Sequence, residues 1–170
     1  MSTPSLRRVL ALLATAIAVV GGLVGCAKDE FADRSAVVTV GGSSQTYEVE
    51  SCGLDGETVF VVARAEDGAI VQGVMGLEDD DETGIPASTG ATVDLDPTSE
   101  DTRVAAFGAE SWERRGGPGA APGTITAAKL RGSRIQFSGQ AVPVDADDVP
   151  VPDGRAERFS LDARCDDVED

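Results

Sequence analysis

The chain has 170 residues, 41% of them hydrophobic and 26% charged, with 30 acidic residues against 14 basic ones. That balance fits one globular domain and repels nucleic acid. Histidine is absent, which removes the usual proton shuttle near neutral pH and the commonest metal ligand, and with them Ser-His-Asp, Cys-His and His-zinc chemistry within one chain.

At the N-terminus, Arg7 and Arg8 precede an apolar run over residues 9–20 that is too short to cross a bilayer as an ordinary helix. Charge, apolar run and small residues in that order describe a secretory signal over residues 1–25. Paired arginines also occur in twin-arginine signals, but Ser5-Leu6-Arg7-Arg8-Val9-Leu10 fits that pattern poorly, so Sec export is expected. Leu23-Val24-Gly25-Cys26 has the form of a bacterial lipobox, in which the Cys26 thiol receives diacylglycerol and becomes the first residue after cleavage. Losing 25 residues and two arginines leaves 145 residues with 12 basic against 30 acidic ones, a net of −18. Anionic headgroups would repel such a chain, so its hold on the membrane is expected from N-terminal acyl chains rather than from a basic patch. Residues 26–35 form the acylated cysteine and a charged tether, whose nine residues after Cys26 reach at most about 30 Å. The domain proper is expected over residues 36–170, on the outer face of the cell membrane.

From residue 36 onward the apolar pattern is mostly of period two, the mark of half-buried strands. Segments 36–40 and 45–51 flank Gly41-Gly42 as a hairpin would. Residues 58–63, containing Val59-Phe60-Val61-Val62, are apolar on both faces and predict a central strand. Further strands are expected at 69–75, 91–95, 103–109 and 124–130, and a short helix is allowed within 105–114, where Ala, Glu and Arg are good helix formers. Ile135, Phe137, Gly139 and Ala141 alternate with polar neighbours, and so do Phe159, Leu161, Ala163 and Cys165. The expected fold is therefore all-β: a single β-sandwich or open barrel of about eight short strands.

With Cys26 acylated, two cysteines remain in an exported chain. Counting pairs Cys52 with Cys165, and two free thiols are the alternative. The pair would stabilise by about 3–5 kcal/mol on the loop-entropy model. Alternation turns Cys165 inward, but Cys52 is in phase with Glu48 and Glu50 rather than with Tyr47 and Val49. A bulge or strand end near Ser51 would resolve that.

Four features of the sequence bear on chemistry. Glu78-Asp79-Asp80-Asp81-Glu82 offers oxygen ligands for a hard cation, yet adjacent carboxylates on extended chain point to opposite sides, so a solvated turn is expected. Asp94-Leu95-Asp96-Pro97-Thr98 starts like a calcium loop but has Ser99 where glycine is needed and Ala105 where glutamate is needed. Lys129 has Ser133 and Ser138 nearby in sequence but no activating signature. Trp112, Arg114 and Arg115 stand beside a Gly/Pro loop over residues 116–123; they form a candidate recognition loop, and the alternative puts Trp112 in the core. No catalytic residue, metal site or cofactor is expected.

The lipobox, the stretch Val37-Val38-Thr39-Val40-Gly41-Gly42 with a cysteine shortly after, residues 132–141 (Gly132-Ser133-Arg134-Ile135-Gln136-Phe137-Ser138-Gly139-Gln140-Ala141) and the closing Arg158-Phe159-Ser160-Leu161-Asp162-Ala163-Arg164-Cys165 together resemble the LpqH-type lipoprotein antigens of mycobacteria and related actinobacteria. The resemblance implies an acylated, surface-exposed β-rich domain with one disulfide, recognised by host immune receptors through its lipid, and it carries over no catalytic residues. Family members often bear a long glycosylated Ser/Thr/Ala-rich stalk, whereas this tether is short and charged. Residues 94–123 have no counterpart in the pattern.

Two functions follow as expectations. The first is a non-catalytic, lipid-anchored envelope domain that serves as antigen or binds an envelope or host protein. The second is an extracytoplasmic carrier of a lipid or other apolar ligand. With five Phe, one Trp and one Tyr, filling the interior leaves little aromatic surplus to line a ligand cavity, which favours the first.

Overall fold

The computed structural model describes residues 34–78, 83–99 and 102–165. The expected signal peptide, Cys26, the tether up to residue 33 and the acidic residues 79–82 lie outside the described residues. Among the described residues, nine strands and one helix follow in chain order: β1 (Ser35–Val40), β2 (Ser43–Asp55), β3 (Thr58–Arg64), β4 (Ile70–Leu77), β5 (Gly84–Asp94), β6 (Arg103–Phe107), α1 (Ala109–Arg114), β7 (Thr124–Arg131), β8 (Arg134–Pro143) and β9 (Glu157–Arg164). The fold is all-β, as expected, and its form is a closed eight-strand antiparallel barrel with one extra strand.

Closure comes from two pairings between strands that are not consecutive in sequence. β1 lies antiparallel to β9, with Ala36 opposite Ala163 and Val40 opposite Phe159. β6 lies antiparallel to the end of β8, with Val104 opposite Pro143 and Ala105 opposite Val142. The extra strand explains itself through register. β7 is also antiparallel to β8, from Thr124 opposite Gln140 to Arg131 opposite Arg134, so β6 and β7 run in the same direction along one partner. They are two halves of one barrel stave. Residues 108–123 are an excursion between the halves, leaving after Phe107 and returning where Pro122 O accepts the Phe107 N–H at 2.9 Å.

Period-two sequence becomes a barrel core because alternate side chains point inward. Tyr47, Met75, Ile135, Phe137, Phe159 and Leu161 are buried in it together with Val38 and Val40 of β1, Val59 and Val61 of β3 and Val71 of β4. Gly73 makes room for that filling, since a Cβ there would crowd Phe137 and Val61. Residues 58–63 form the expected central strand, paired with β2 on one side and β4 on the other; Val59, Val61 and Ala63 are buried, while Phe60 and Val62 are half-buried on the opposite face, because a barrel has a single interior.

The first hairpin turns at Gly41 and Gly42, whose φ values of 60° and 95° are what a two-residue turn between twisted strands requires. In β2 the register shifts between Val49 and Ser51. That bulge rotates the strand by one side chain, so Cys52 stands opposite the buried Val61 and packs on the core. The Cys52–Cys165 disulfide forms across a Cα separation of 6.0 Å, closing 113 residues of chain.

A candidate binding surface at the far end of the barrel

The alternating strand directions give the barrel two distinct ends. Ser35, where β1 begins, and Cys165, just past β9, share the near end, as the pairing of Ala36 with Ala163 requires. The far end carries the Gly41-Gly42 turn, the β3–β4 turn, and the two longest connections at this end, β5–β6 (residues 95–102) and β8–β9 (residues 144–156). There the barrel opens on a recess of about 300 Å³. Its floor is apolar, made by Leu95, Val104, Ala141 and Pro143, and Arg155 and Glu157 stand at its rim.

Each wall is fixed by local chemistry. Asp96 Oδ1 accepts the Thr98 hydroxyl at 2.6 Å and the Thr98 N–H at 2.9 Å, and those two bonds, the hydroxyl first, hold its carboxyl below the ordinary carboxylate range. Thr102 Oγ1 donates to Asp96 O at 2.9 Å, closing the loop onto itself. Asp96 is thus spent on its own turn. On the other side, Asp145 Oδ1 accepts the N–H groups of Asp147 and Val149 at 3.0 and 2.9 Å, and Val151 N–H donates to Pro143 O at 3.0 Å. Deeper in, Tyr47 is 1% exposed. Its hydroxyl donates to Gln45 Oε1 at 3.0 Å, and Gln45 Nε2 donates to Asp67 Oδ2 at 3.1 Å. Burial, reinforced by the carboxylates of Asp67 and Asp94, pushes the Tyr47 phenol up to about 12, so at neutral pH it acts only as a neutral donor.

The β8–β9 loop is pinned by Asp148, which adopts a φ of 61° and is buried to 4% exposure. Its carboxylate bonds the Arg115 guanidinium and lies 3.6 Å from Arg103 Nη1. This clamp ties the loop to the 108–123 excursion.

Within that excursion the structure brings together the three residues of the candidate recognition loop. Trp112 is buried, its ring 5.3 Å from that of Phe107, and its indole N–H donates to Pro118 O at 3.3 Å. Arg114 Nη2 donates to Ser88 O at 2.9 Å. Arg115 stacks over Phe107 at 5.5 Å as well as bonding Asp148. Trp112 thus packs with Ala105, Phe107 and Val144 in a second small core, and the two exposed arginines pin the excursion to the barrel from the surface. Glu110 in α1 accepts the Ser88 hydroxyl, from a segment of β5 that bulges away from β4 between Val74 and Gly76. Lys129 stands opposite Gln136, Ser138 stands opposite Ala127, and Ser133 sits in the turn between their strands, so register does not bring the lysine opposite either serine.

Sequence reasoning passed over Asp148, Arg155 and the exposed Val149 and Val151. The one available signal was the repeat Val149-Pro150-Val151-Pro152, an apolar run too proline-rich for a central strand. The sequence matches no family profile and no curated protein, so the site is argued from its own residues.

Proposed function

We propose that this protein is a non-catalytic, lipid-anchored domain of the cell envelope, of LpqH type, which holds its near end to the membrane through Cys26 and presents its far end to a partner. The observation that supports this most is the polarity of the barrel. β1 starts at the near end, so a tether of nine residues after Cys26 would place the acyl chains below it, and the recess between the long loops would face outward. The acidic excess keeps such a domain off anionic headgroups. Tyr47, Met75, Phe137 and Phe159 fill the barrel interior, which supports partner binding at the surface over carriage of an apolar ligand inside.

Replacing Cys26 with Ala should abolish acylation, leaving the tagged protein in the soluble fraction or as the longer precursor. Mass spectrometry of the variant, read beside fractionation, checks this. A variant that still carries diacylglycerol rejects the anchor.

A further inference from the structure

We propose that the far end of the barrel docks a cationic protein segment carrying apolar side chains. The inference deepens the reading of the domain as a binding module and is independent of the lipid anchor. Val149 and Val151 are each 39% exposed on the β8–β9 loop, and among the described residues the other large hydrophobic with such exposure is Leu54, at the near end. Scattered exposed apolar residues are ordinary. Val151 adjoins an apolar recess, since its N–H donates to Pro143 O and Pro143 lines the recess with Leu95, Val104 and Ala141; Val149 stands two residues before it on the same loop. A volume of about 300 Å³ accepts one or two side chains of a partner, at the lower limit of what small-molecule sites use.

Charge selects the occupant. Asp94, Asp96, Asp145, Asp147, Asp153 and Glu157 belong to the loops and strand ends of this face. Arg155 is the cation that lines the recess; Arg103 is already held by Asp148 and by Ala146 O, Arg64 at the end of β3 is paired with Glu50, and Arg158 near the start of β9 is outnumbered by the carboxylates of this face. A potential of this sign attracts a basic segment and repels fatty-acid carboxylates, nucleic acid and a second copy of a chain at −16. Apolar anchors in the recess and lysine or arginine side chains against the carboxylate rim reproduce the usual division of an interface into apolar centre and polar edge.

The test is calorimetric titration of the purified chain, at about 0.15 M salt, with three short peptides: alternating lysine and leucine, alternating glutamate and leucine, and lysine alone. The lysine–leucine peptide should bind, the glutamate–leucine peptide should not, and polylysine should bind at least about tenfold more weakly. The double variant Val149→Ser with Val151→Ser should lose about tenfold in affinity, while Leu54→Ser at the opposite end leaves it unchanged. Arg155→Glu should tighten binding about threefold, a gain that damage to the fold would not produce. Equal binding of polylysine, unchanged affinity in the double valine variant, or no gain in Arg155→Glu each overturns the proposal. So does preferential binding of dodecanoate, which would make the recess a small-ligand site, or self-association of the chain. The Cys26→Ala fractionation reads the anchor separately, so the two readings fail independently.

Discussion

Tyr47 shows how one buried side chain couples the far end to solution conditions. It is the chain's one tyrosine, so its phenolate absorbance reports this site alone. Its pKa is pushed up from the ordinary phenol value of 10.0 to about 12, by burial first and then by Asp67 and Asp94. At neutral pH both folded and unfolded chains hold the proton, and the shift has no effect. Above the unfolded value the unfolded chain releases its proton first, so the stability present below about pH 10 declines as pH rises toward 12, by roughly 2–3 kcal/mol. Spectrophotometric titration should place the folded transition near 12, and denaturant unfolding should weaken across that same window. A transition at 10 in the folded protein would contradict the packing of this phenol. Tyr47 was legible as an inward residue from its alternation with Glu48 and Glu50, in phase with Val49, but its carboxylate neighbours come from β3–β4 and β5, which no local pattern reveals.

At the scale of elements, the 108–123 excursion separates local from tertiary causes. Its helix has six residues, too short to persist alone in water. It is held by Trp112 against Phe107, by Arg114 on Ser88 O and by Arg115 on Asp148. Gly90 allows this packing, because a Cβ there would overlap the Phe107 ring. Trp112→Ala should therefore release the excursion while the barrel persists, lowering the free energy of local opening by about 3–5 kcal/mol. Amide exchange should lose protection over 108–123 and keep it in β1, β2 and β9; uniform loss everywhere would show that the excursion is integral to the barrel. A helix within 105–114 was legible from composition and appears as Ala109–Arg114. Its strand was read two residues too long, since the chain turns out at Gly108, where a Cβ would meet the carbonyls of Pro86 and Ala87. The bulge in β2 was legible as well, from the phase conflict between Cys52 and Val49, because a core face tolerates no slip of one residue.

For the whole molecule, closure is the main event. The disulfide joins β2 to the chain just past β9, across the β1 strand that both flank, so it reinforces the same seam as the β1–β9 ladder. Cys165→Ser should cost on the order of 2–5 kcal/mol in urea unfolding. Cys52→Ser and the double variant should cost the same as the single one, since either removes the one crosslink. An additional loss in the double variant would assign the cysteines separate packing roles.

The sequence by itself determined most of the strands though not the first half of β5, the inward phase of their apolar residues, a break near Ser51 as either bulge or strand end and, by count, the favoured cysteine pair, because each follows from period-two alternation or arithmetic along the chain. Barrel rather than sandwich, the union of β6 and β7 as one stave, and the far-end surface were decided only by tertiary structure. β1 meets β9 across more than a hundred residues, and Asp148 meets Arg115 across 33. Such contacts depend on how twisted strands close around a filled core, and a linear pattern carries no record of which edges meet.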